Sequence, residues 1–448
     1  MSRFRHTIRW GIIPCALLMV AGCTPTQMTP EGVLSADTGN PPHGEITVWS
    51  WNIAAKALQE RIPAYEKRNP SVQVTVDMTG ARMSTRLMLS LAAGVGAPDV
   101  SQLQISDAPH YIATRRLADL TPVAAKYKAM FPSAQWESCT LDGKVYAIPW
   151  DTGPCAVFYK RDIFAKYGID PATIETWDDY VRAGETIRTK SNGRTKMLPL
   201  GSNDLEPMFE ILLQQTGGQI FDADGRLALD SPKARQALEV IRRIRRANIH
   251  SDVAAYSQEW MAGFADDSIA SYPGAVWLAG TLKDTAKDVP GKKTQWGVFR
   301  LPAVTKGGLR VANSGGSVLV IPASCANKAA AWSFIEYVLC TGEGQLAQYK
   351  TSSLYPSFLP ALQDSVMDEP DPLFGGQPVG RLFATDITKI ARLNRTRDWM
   401  EATGYTRQGL SHWASEGMTD DAVLTELTRK LRERLDVSVV SDANRDGN

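Results

Sequence analysis

Aromatic and hydrogen-bonding side chains occur where the sequence predicts strand ends or loops. Trp51 stands beside Asn52 and Trp150 beside Asp151, and the polar residues Gln104 and Asp107 follow a third predicted strand. A sugar presents flat apolar C–H faces and a rim of hydroxyls, so its site needs aromatic platforms with carboxylate, amide or guanidinium partners. Open α/β sheets place their ligands at strand ends. These residues therefore indicate a site that could hold a sugar.

Motifs of several enzyme classes are missing from the sequence. It has no G-x-S-x-G, no H-E-x-x-H, no P-loop and no G-x-G-x-x-G that opens a helix. Only three of the five histidines lie beyond residue 43, which leaves little material for a histidine-built metal site. We therefore predict no metal and no cofactor. Carboxylates are plentiful, so a secreted glycoside hydrolase, which needs only two of them, stays open.

Composition and charge describe an ordinary globular chain. Of its 448 residues, 44% are hydrophobic and 22% are charged, and the net charge is +1. The length predicts two large or three smaller compact units. A chain with so little net charge has no global field to hold DNA or RNA, so we expect no nucleic-acid partner.

Strand-like and helical runs alternate from Glu45 onward, which predicts α/β layers. Strands are predicted at 46–51, 72–78 and 99–104, and helices at 56–68, 85–93, 232–247, 327–339 and 421–435. The segment Pro149-Trp150-Asp151-Thr152-Gly153-Pro154 is predicted to be irregular and to cross between two lobes.

The N-terminus has the layout of a secretory signal. Arg3, Arg5 and Arg9 precede an apolar run of twelve residues, about 18 Å as a helix and too short to span a bilayer. The residues Val20-Ala21-Gly22-Cys23 resemble the bacterial lipobox, which implies a signal peptide at 1–22 and lipidation of Cys23. Residues 23–44 are predicted to form a flexible tether, and residues 437–448 a disordered tail.

Four further cysteines would lie in a compartment that permits disulfides. Cys325 and Cys340 bracket one predicted helix and would stand about 22 Å apart, too far to pair. Cys139 and Cys155 flank a predicted hairpin and could form a disulfide, and two buried free thiols are an equal alternative.

Five stretches together resemble the extracellular solute-binding proteins of ABC transporters, in particular the large carbohydrate-binding family that includes maltose-binding protein. They are ITVWSW at 46–51, LAAGVGAPDV at 91–100, LADLTP at 117–122, DGKVYAIP at 142–149 running on to FYKRD at 158–162, and NKAAAWSF at 327–334. The resemblance implies an α/β fold of the type II periplasmic-binding-protein kind, a clamp of two lobes joined by a multi-segment hinge. Lobe one would comprise residues 45–150 and 313–350, and lobe two residues 154–310 and 355–435.

The same resemblance extends the candidate site to the second lobe and the hinge. The added residues are Asn203, Asp204, Glu206, Gly274, Trp277, Gly315, Gly316 and Trp399. Asp107 and Glu206 could instead cap helices, and the two hinge glycines could form only a turn. Five other tryptophans are assigned to packing, namely Trp49, Trp177, Trp260, Trp296 and Trp332.

The resemblance implies a lipid-anchored extracytoplasmic protein that binds a sugar or oligosaccharide and delivers it to the permease subunits of an ABC transporter. Such a protein performs no covalent chemistry, and we expect a monomer. Arg82 supplies the positive charge that a glycerol phosphate or similar polyol derivative would need, so that ligand class is an alternative. A surface adhesion or sensory module is a third hypothesis, and both a Gram-positive surface and a periplasm remain open.

Overall fold

The computed structural model describes residues 41–80, 82–255, 257–288 and 295–440, without the side chains of residues 52 and 284–288. These residues belong to one compact unit. The predicted signal peptide, Cys23, most of the predicted tether and residues 441–448 lie outside this range. Within it, no helix combines the length and the apolar character that crossing a bilayer requires.

Strands and helices alternate along the chain. The strands are β1 (Gly44–Ser50), β2 (Val72–Met78), β3 (Val100–Gln104), β4 (Thr140–Leu141), β5 (Lys144–Val145), β6 (Ala147–Lys160), β7 (Leu198–Pro199), β8 (His250–Ser251), β9 (Ser271–Ala275), β10 (Trp296–Arg300) and β11 (Asn313–Val320). The α-helices are α1 (Asn52–Arg68), α2 (Met83–Ala93), α3 (Ala108–Ala113), α4 (Thr121–Ala124), α5 (Ser133–Ser138), α6 (Arg161–Tyr167), α7 (Trp177–Lys190), α8 (Leu205–Thr216), α9 (Pro232–Arg246), α10 (Gln258–Ala265), α11 (Leu278–Asp288), α12 (Lys328–Leu339), α13 (Gly342–Ser352), α14 (Val379–Ala384), α15 (Trp399–Glu416) and α16 (Asp420–Leu435). Short 3₁₀ helices lie at Ala125–Met130, Pro171–Thr173, Ser202–Asp204, Leu359–Gln363, Ser365–Asp368, Pro372–Phe374 and Ile387–Lys389.

One sheet runs through both lobes. Its strand order is β10-β6-β11-β3-β1-β2, and β9 also pairs with β6. The first half of β6 pairs antiparallel with β11 in lobe one. Its second half pairs antiparallel with β9 and β10 in lobe two. The 14-residue strand β6 is therefore shared by both lobes.

Side chains of alternate residues cover opposite faces of this sheet, as the two-residue period of a strand requires. On β6, Val157 and Tyr159 pack into one lobe-two core, while Ala156 and Phe158 pack into the core on the other face. The strands of lobe one likewise separate two cores, one on each face. Both faces are thus buried under helices, which fits the predicted two-lobed α/β clamp.

The sequence prediction for residues 149–154 is half right. The segment does cross between the lobes, but it is regular strand within β6 rather than irregular. Pro149 and Pro154 lie opposite Val318 and Asn313, next to two register shifts between β6 and β11. A proline lacks the N–H that a regular ladder needs, and bulges are where sheets tolerate it.

The structure also decides one open alternative and corrects two smaller expectations. Of the two alternatives for Cys139 and Cys155, the structure shows two buried free thiols, which lie in different cores. Strand β1 begins at Gly44, inside the predicted tether. The predicted tail is ordered as far as residue 440, because the backbone N–H of Leu227 bonds to Ser438 O (2.8 Å) and that of Val440 bonds to Leu227 O (2.9 Å).

Candidate functional site

A pocket beside Trp277 brings together several of the predicted lobe-two residues. Trp277 lies between β9 and α11, is partly exposed, and donates from Nε1 to the carbonyl oxygen of Ser314 at 3.3 Å. Asn203 and Gly274 line the same cavity of about 220 Å³, which we call the tryptophan pocket. It offers an aromatic ring, an amide and backbone groups where lobe two meets β11. Such a site can hold a ring with hydroxyl groups.

The hinge glycines are required by geometry. Gly315 and Gly316 have φ values of +80° and +105°, which favour glycine. A Cβ on Gly316 would stand 2.8 Å from the carbonyl oxygen of Asp151, and one on Gly315 would stand 3.5 Å from Trp277 Nε1. These glycines therefore let β11 pass close to both the crossing strand and the aromatic ring.

On the lobe-one side, the end of β3 pairs with β11, and the end of β1 lies next to β3. Trp51 follows β1 and is partly exposed, and its backbone N–H bonds to Gln102 Oε1 at 3.3 Å. Gln104 ends β3 with an exposed side chain, and the backbone N–H of Ile105 bonds to Gly316 O at 3.0 Å. Trp51 and Gln104 thus lie at the carboxyl ends of neighbouring strands, and Gln104 is next to the hinge strand β11.

Asp151 serves the hinge rather than an open cleft surface. Its carboxylate accepts hydrogen bonds from the backbone N–H (2.9 Å) and the hydroxyl of Ser317, so it ties β6 to β11. Ser317 also accepts from Gln102 Nε2 at 3.0 Å, and Gln102 accepts from Ser50 at 2.6 Å. Burial raises the pKa of Asp151 above its ordinary value.

Charged groups from both lobes gather around α8. Glu206 is buried and accepts a bond from Arg407 on α15 at 3.0 Å. Burial and the neighbouring charge of Glu206 raise the pKa of Glu210, one turn further along α8, well above its ordinary value. The guanidinium of Arg395 interacts with the carboxylates of Glu210 and, across the cleft, of Asp107.

Neither predicted capping alternative matches the structure. Asp107 precedes α3, but its carboxylate makes no capping bond there and accepts from Ser106 Oγ at 3.0 Å. Burial raises the pKa of Asp107. Glu206 lies in the first turn of α8 and pairs with Arg407 of α15, which also belongs to lobe two.

A second cavity lies between the lobes and was not predicted. It measures about 120 Å³ and is lined by Phe131 and Gln135 of lobe one, Thr152 and Asn313 of the crossing strands, and Leu393 and Arg395 of lobe two. We call it the glutamine cavity. Gln135 is 7% exposed, and neither its Oε1 nor its Nε2 has a hydrogen-bond partner among the described residues.

Two tryptophans predicted as platforms are buried instead. Trp150 is 1% exposed, and its Nε1 donates to Gln348 Oε1 at 2.7 Å, so the ring packs in the lobe-one core. Trp399 is 2% exposed and lies under the guanidinium of Arg395, whose carbon stands 5.2 Å from the ring centroid. Trp399 therefore packs against Arg395, and its own ring is not accessible to a ligand.

The structure does not place two other predicted residues, Arg82 and Asn52, in the lining of either cavity. Arg82 is exposed immediately before α2 and lines neither of them. The side chain of Asn52 lies outside what the structure describes. Their roles stay predictions.

Sequence reasoning missed Gln135, Gln214, Asn313 and Arg395. Gln214 bonds through both amide atoms to the backbone of Asn313, at 2.8 Å in each direction. Arg395 had one available signal, because a run of polar residues with three arginines stands just before Trp399. Nothing in the local sequence marks Gln135.

A family model for bacterial extracellular solute-binding proteins matches residues 50–343. The arabinooligosaccharide-binding protein of Bacillus subtilis (strain 168) is 27% identical over 341 residues, which cover 73% of this chain and 74% of that protein. The lactose-binding protein of Rhizobium radiobacter is 26% identical over 368 residues, which cover 78% and 84%.

Solved structures agree with these matches. The ABC transporter associated binding protein from B. animalis subsp. lactis Bl-04, in complex with β-1,6-galactobiose, superposes with a TM-score of 0.73 at 26% identity over 87% of this chain and 97% of that one. The sugar-binding protein MalE from Xanthomonas citri gives a TM-score of 0.75 at 22% identity, with the same coverage, which supports the fold alone.

Proposed function

The chain belongs to the bacterial extracellular solute-binding proteins, and on that premise we propose that it captures a sugar or oligosaccharide between its lobes and delivers it to the permease of an ABC transporter. Family membership gives it an extracytoplasmic place of action. The names of its relatives concern arabino-oligosaccharides, lactose and galactobiose, which supports a carbohydrate ligand.

The tryptophan pocket is the observation that carries this proposal. Trp277 offers a partly exposed ring beside Asn203, and the backbone at Gly315 passes within reach of the ring. Trp51 and Gln104 lie across the hinge on lobe one. A sugar that fills this pocket and extends to Trp51 or Gln104 would contact both lobes, and such contact is what allows a ligand to favour the closed clamp.

Membrane attachment through Cys23 is the finer part of the proposal. The sequence Val20-Ala21-Gly22-Cys23 supports it, and acyl chains gain about 0.8 kcal/mol per buried CH₂ in a bilayer. Full-length protein should sediment with membranes, and Cys23→Ser should release it into the soluble fraction. If the wild-type chain were found entirely in the soluble fraction, the lipid anchor would be rejected. The proposal of sugar capture would not be affected.

The central test is ligand binding by residues 24–448. Thermal unfolding is measured against lactose, β-1,6-galactobiose, arabino-oligosaccharides and maltose, and the stabilising sugar is then titrated calorimetrically. Trp277→Ala should weaken its binding by about 2 kcal/mol, roughly thirtyfold in Kd, as expected when a buried aromatic contact is truncated. Ser415→Ala, at an exposed site on α15, is the matched control and should bind like the wild type.

Two outcomes would overturn the proposal. One is a panel in which no saccharide stabilises the wild-type chain. The other is conversion of the bound sugar to new products during incubation, which chromatography of the mixture would detect and which would favour the glycoside hydrolase.

A further inference from the structure

The walls of the glutamine cavity are mostly apolar. Of the sixteen described residues that line it, nine have hydrocarbon side chains, namely Ile105, Phe131, Pro132, Ala134, Leu359, Ile387, Ile390, Ala391 and Leu393. These nine come from both lobes. No described residue lines both this cavity and the tryptophan pocket, so the two are separate places where a ligand can be held.

Most polar groups in the wall are already used within the protein. Thr152 Oγ1 donates to Asn313 Oδ1 at 2.8 Å, and Asn313 Nδ2 donates to Gly315 O at 2.8 Å. Gln214 uses both of its amide atoms on the backbone of Asn313. Both amide atoms of Gln135 are themselves buried, so its side chain presents carbon to the cavity. The hydroxyls of a sugar would therefore find few partners in this cavity, and each one left without a partner would cost binding free energy.

Arg395 is the one charged residue in the described lining, and it limits which ligands fit. Its guanidinium carbon stands 5.2 Å from the ring centroid of Trp399, and its charge interacts with the carboxyl groups of Glu210 and Asp107. An anion in the cavity would lie near these two acidic groups, and a cation would lie near Arg395. A neutral ligand avoids both costs. Among neutral groups an aromatic ring is favoured, because guanidinium groups pack well against aromatic faces.

The volume of the cavity, about 120 Å³, sets the size of the group that fits. Apolar cavities of about 150 Å³ in proteins bind benzene and stay free of water, because their walls offer water no hydrogen bonds. The walls of such a cavity lack dispersion contacts on one side, and a ring that fills the space restores them. A single six-membered ring is therefore the group that matches this volume.

We propose that the glutamine cavity is a binding site for a neutral, compact aromatic ring. The site goes beyond the proposed function, since it is separate from the tryptophan pocket and takes a different class of ligand. Two sources share this chemistry, a free aromatic molecule and the aromatic aglycone of a glycoside. The experiment distinguishes them.

Benzene is the probe for the ring itself. Calorimetric titration into residues 24–448 should give a Kd of about 1 mM or lower. Ala134→Leu in lobe one and Ala391→Leu in lobe two each place a larger side chain in the cavity wall. Each should weaken benzene binding at least tenfold. Thermal unfolding checks that each variant is folded, and because the two fill the cavity independently, either one suffices for the test.

Ala92→Leu is the matched control, since Ala92 is exposed on α2. It should leave the Kd for benzene unchanged.

Phenyl β-D-galactopyranoside and methyl β-D-galactopyranoside distinguish the two sources of the ring. If the ring belongs to a glycoside, the phenyl compound should bind the wild type at least tenfold more tightly than the methyl compound, and Ala134→Leu should remove this difference. Equal binding of the two glycosides, together with benzene binding, would assign the site to a free aromatic molecule.

Two results would overturn the proposal. One is no benzene binding at ten times the expected Kd together with equal binding of the two glycosides. The other is binding of benzene or of the phenyl group that neither Ala134→Leu nor Ala391→Leu weakens, because the ring would then bind elsewhere. Benzene binding requires no sugar, so a failure of the proposed function would be recognised separately, from the sugar panel alone.

Discussion

Two carboxyl groups lie one turn apart on α8, and among the described residues only one of them has a cation within hydrogen-bond distance. Glu206 bonds to Arg407, whereas burial and the charge of Glu206 raise the pKa of Glu210 well above its ordinary value. A carboxyl whose pKa is raised by folding binds more protons in the native state than in the unfolded state. Its contribution to stability is therefore present at low pH and is lost as pH rises from the ordinary value of about 4.3 through the raised one.

Glu210→Gln should reveal this loss. A glutamine amide can donate to Glu206 as the protonated carboxyl does, and it has no charge to bury. The free energy of unfolding of the variant, minus that of the wild type, should increase between pH 5 and pH 8. The increase can be at most about 1.4 kcal/mol per pH unit for one proton. Urea unfolding at several pH values measures it.

Glu185→Gln, at an exposed position of α7, is the control for Glu210→Gln. Its difference from wild type should stay constant over the same range. A constant difference for Glu210→Gln as well would show that Glu210 titrates normally in the folded chain.

The sequence predicted correctly which of several tryptophans are buried. It did not predict which residues a buried side chain contacts. Five tryptophans assigned to packing are all buried, because a large apolar ring in a long chain has much area to gain from burial. Trp150 and Trp399 were wrong as platforms, since each ring is held by contacts from segments distant in sequence. Gln135 could not be found, because its lack of partners is a property of the folded surroundings alone.

At the scale of elements, one segment joins the lobes across the cleft. Residues 392–397, which we call the strap, belong to lobe two and contact lobe one at its α3 and α5. Nδ1 of His110 donates to the carbonyl oxygen of Arg397 at 3.0 Å, and Arg392 pairs with Glu137. The ion pair is exposed and contributes little, about 0.2–1 kcal/mol. The histidine bond is exposed too, but it joins α3 to the main chain of the strap, so we test it as a contact that holds the lobes together.

His110→Ala should therefore weaken ligand binding without touching the ligand. Loss of one hydrogen bond that exists only with the lobes together would cost about 0.5–1.5 kcal/mol, a two- to twelvefold rise in Kd, chiefly through faster dissociation. Stopped-flow Trp fluorescence can follow the dissociation rate. His412→Ala, at an exposed position of α15, should leave that rate unchanged. A wild-type rate for His110→Ala would mean that the strap does not hold the lobes together.

The crossing of β6 and β11 predicts a severe effect of a single methyl group. A Cβ on Gly153 would stand 1.9 Å from the carbonyl oxygen of Ser314, which is backbone and cannot turn aside. Gly153→Ala should destabilise the chain by about 3 kcal/mol or prevent folding, the upper end of overpacking effects.

Gly404→Ala is the control for Gly153→Ala, and we expect it to change the free energy of unfolding in the opposite direction. Gly404 lies inside α15, and apart from its chain neighbours and its own helix backbone no described atom lies within 4 Å of an added Cβ, so alanine should stabilise by about 0.5–1 kcal/mol. Chemical denaturation of both variants gives the signs. Similar stabilities would show that β11 can move away from β6 at little cost.

Helices whose apolar residues recur with helical spacing were predicted well. The strand that crosses the hinge was not. The helices expected at 232–247, 327–339 and 421–435 correspond to α9, α12 and α16 to within a residue or so, since each carries a strong apolar face and local end signals. The irregular reading of residues 149–154 followed local proline and glycine signals. Pairing with β11, far away in sequence, overrides them.

At the scale of the whole molecule, the shared sheet decides how the chain unfolds. Strand β6 is hydrogen-bonded to β11 in lobe one and to β9 and β10 in lobe two, so neither lobe has a complete sheet without it. Phe358 packs in a lobe-one core while its neighbour Leu359 packs against a lobe-two core, so the predicted lobe boundary at 355 does not separate the cores. We expect the lobes to unfold together.

Calorimetry of residues 24–448 should accordingly show one heat-absorption peak, with equal calorimetric and van't Hoff enthalpies. A bound sugar at one hundred times its Kd adds about 2.7 kcal/mol, which for about 400 ordered residues raises the single midpoint by about 3 °C. Two peaks, of which the sugar moved only one, would contradict this, because they would place the whole binding site on a lobe that is stable by itself. A single peak that moves as a whole is what a ligand gripped by both lobes must produce, since unfolding either lobe then releases it.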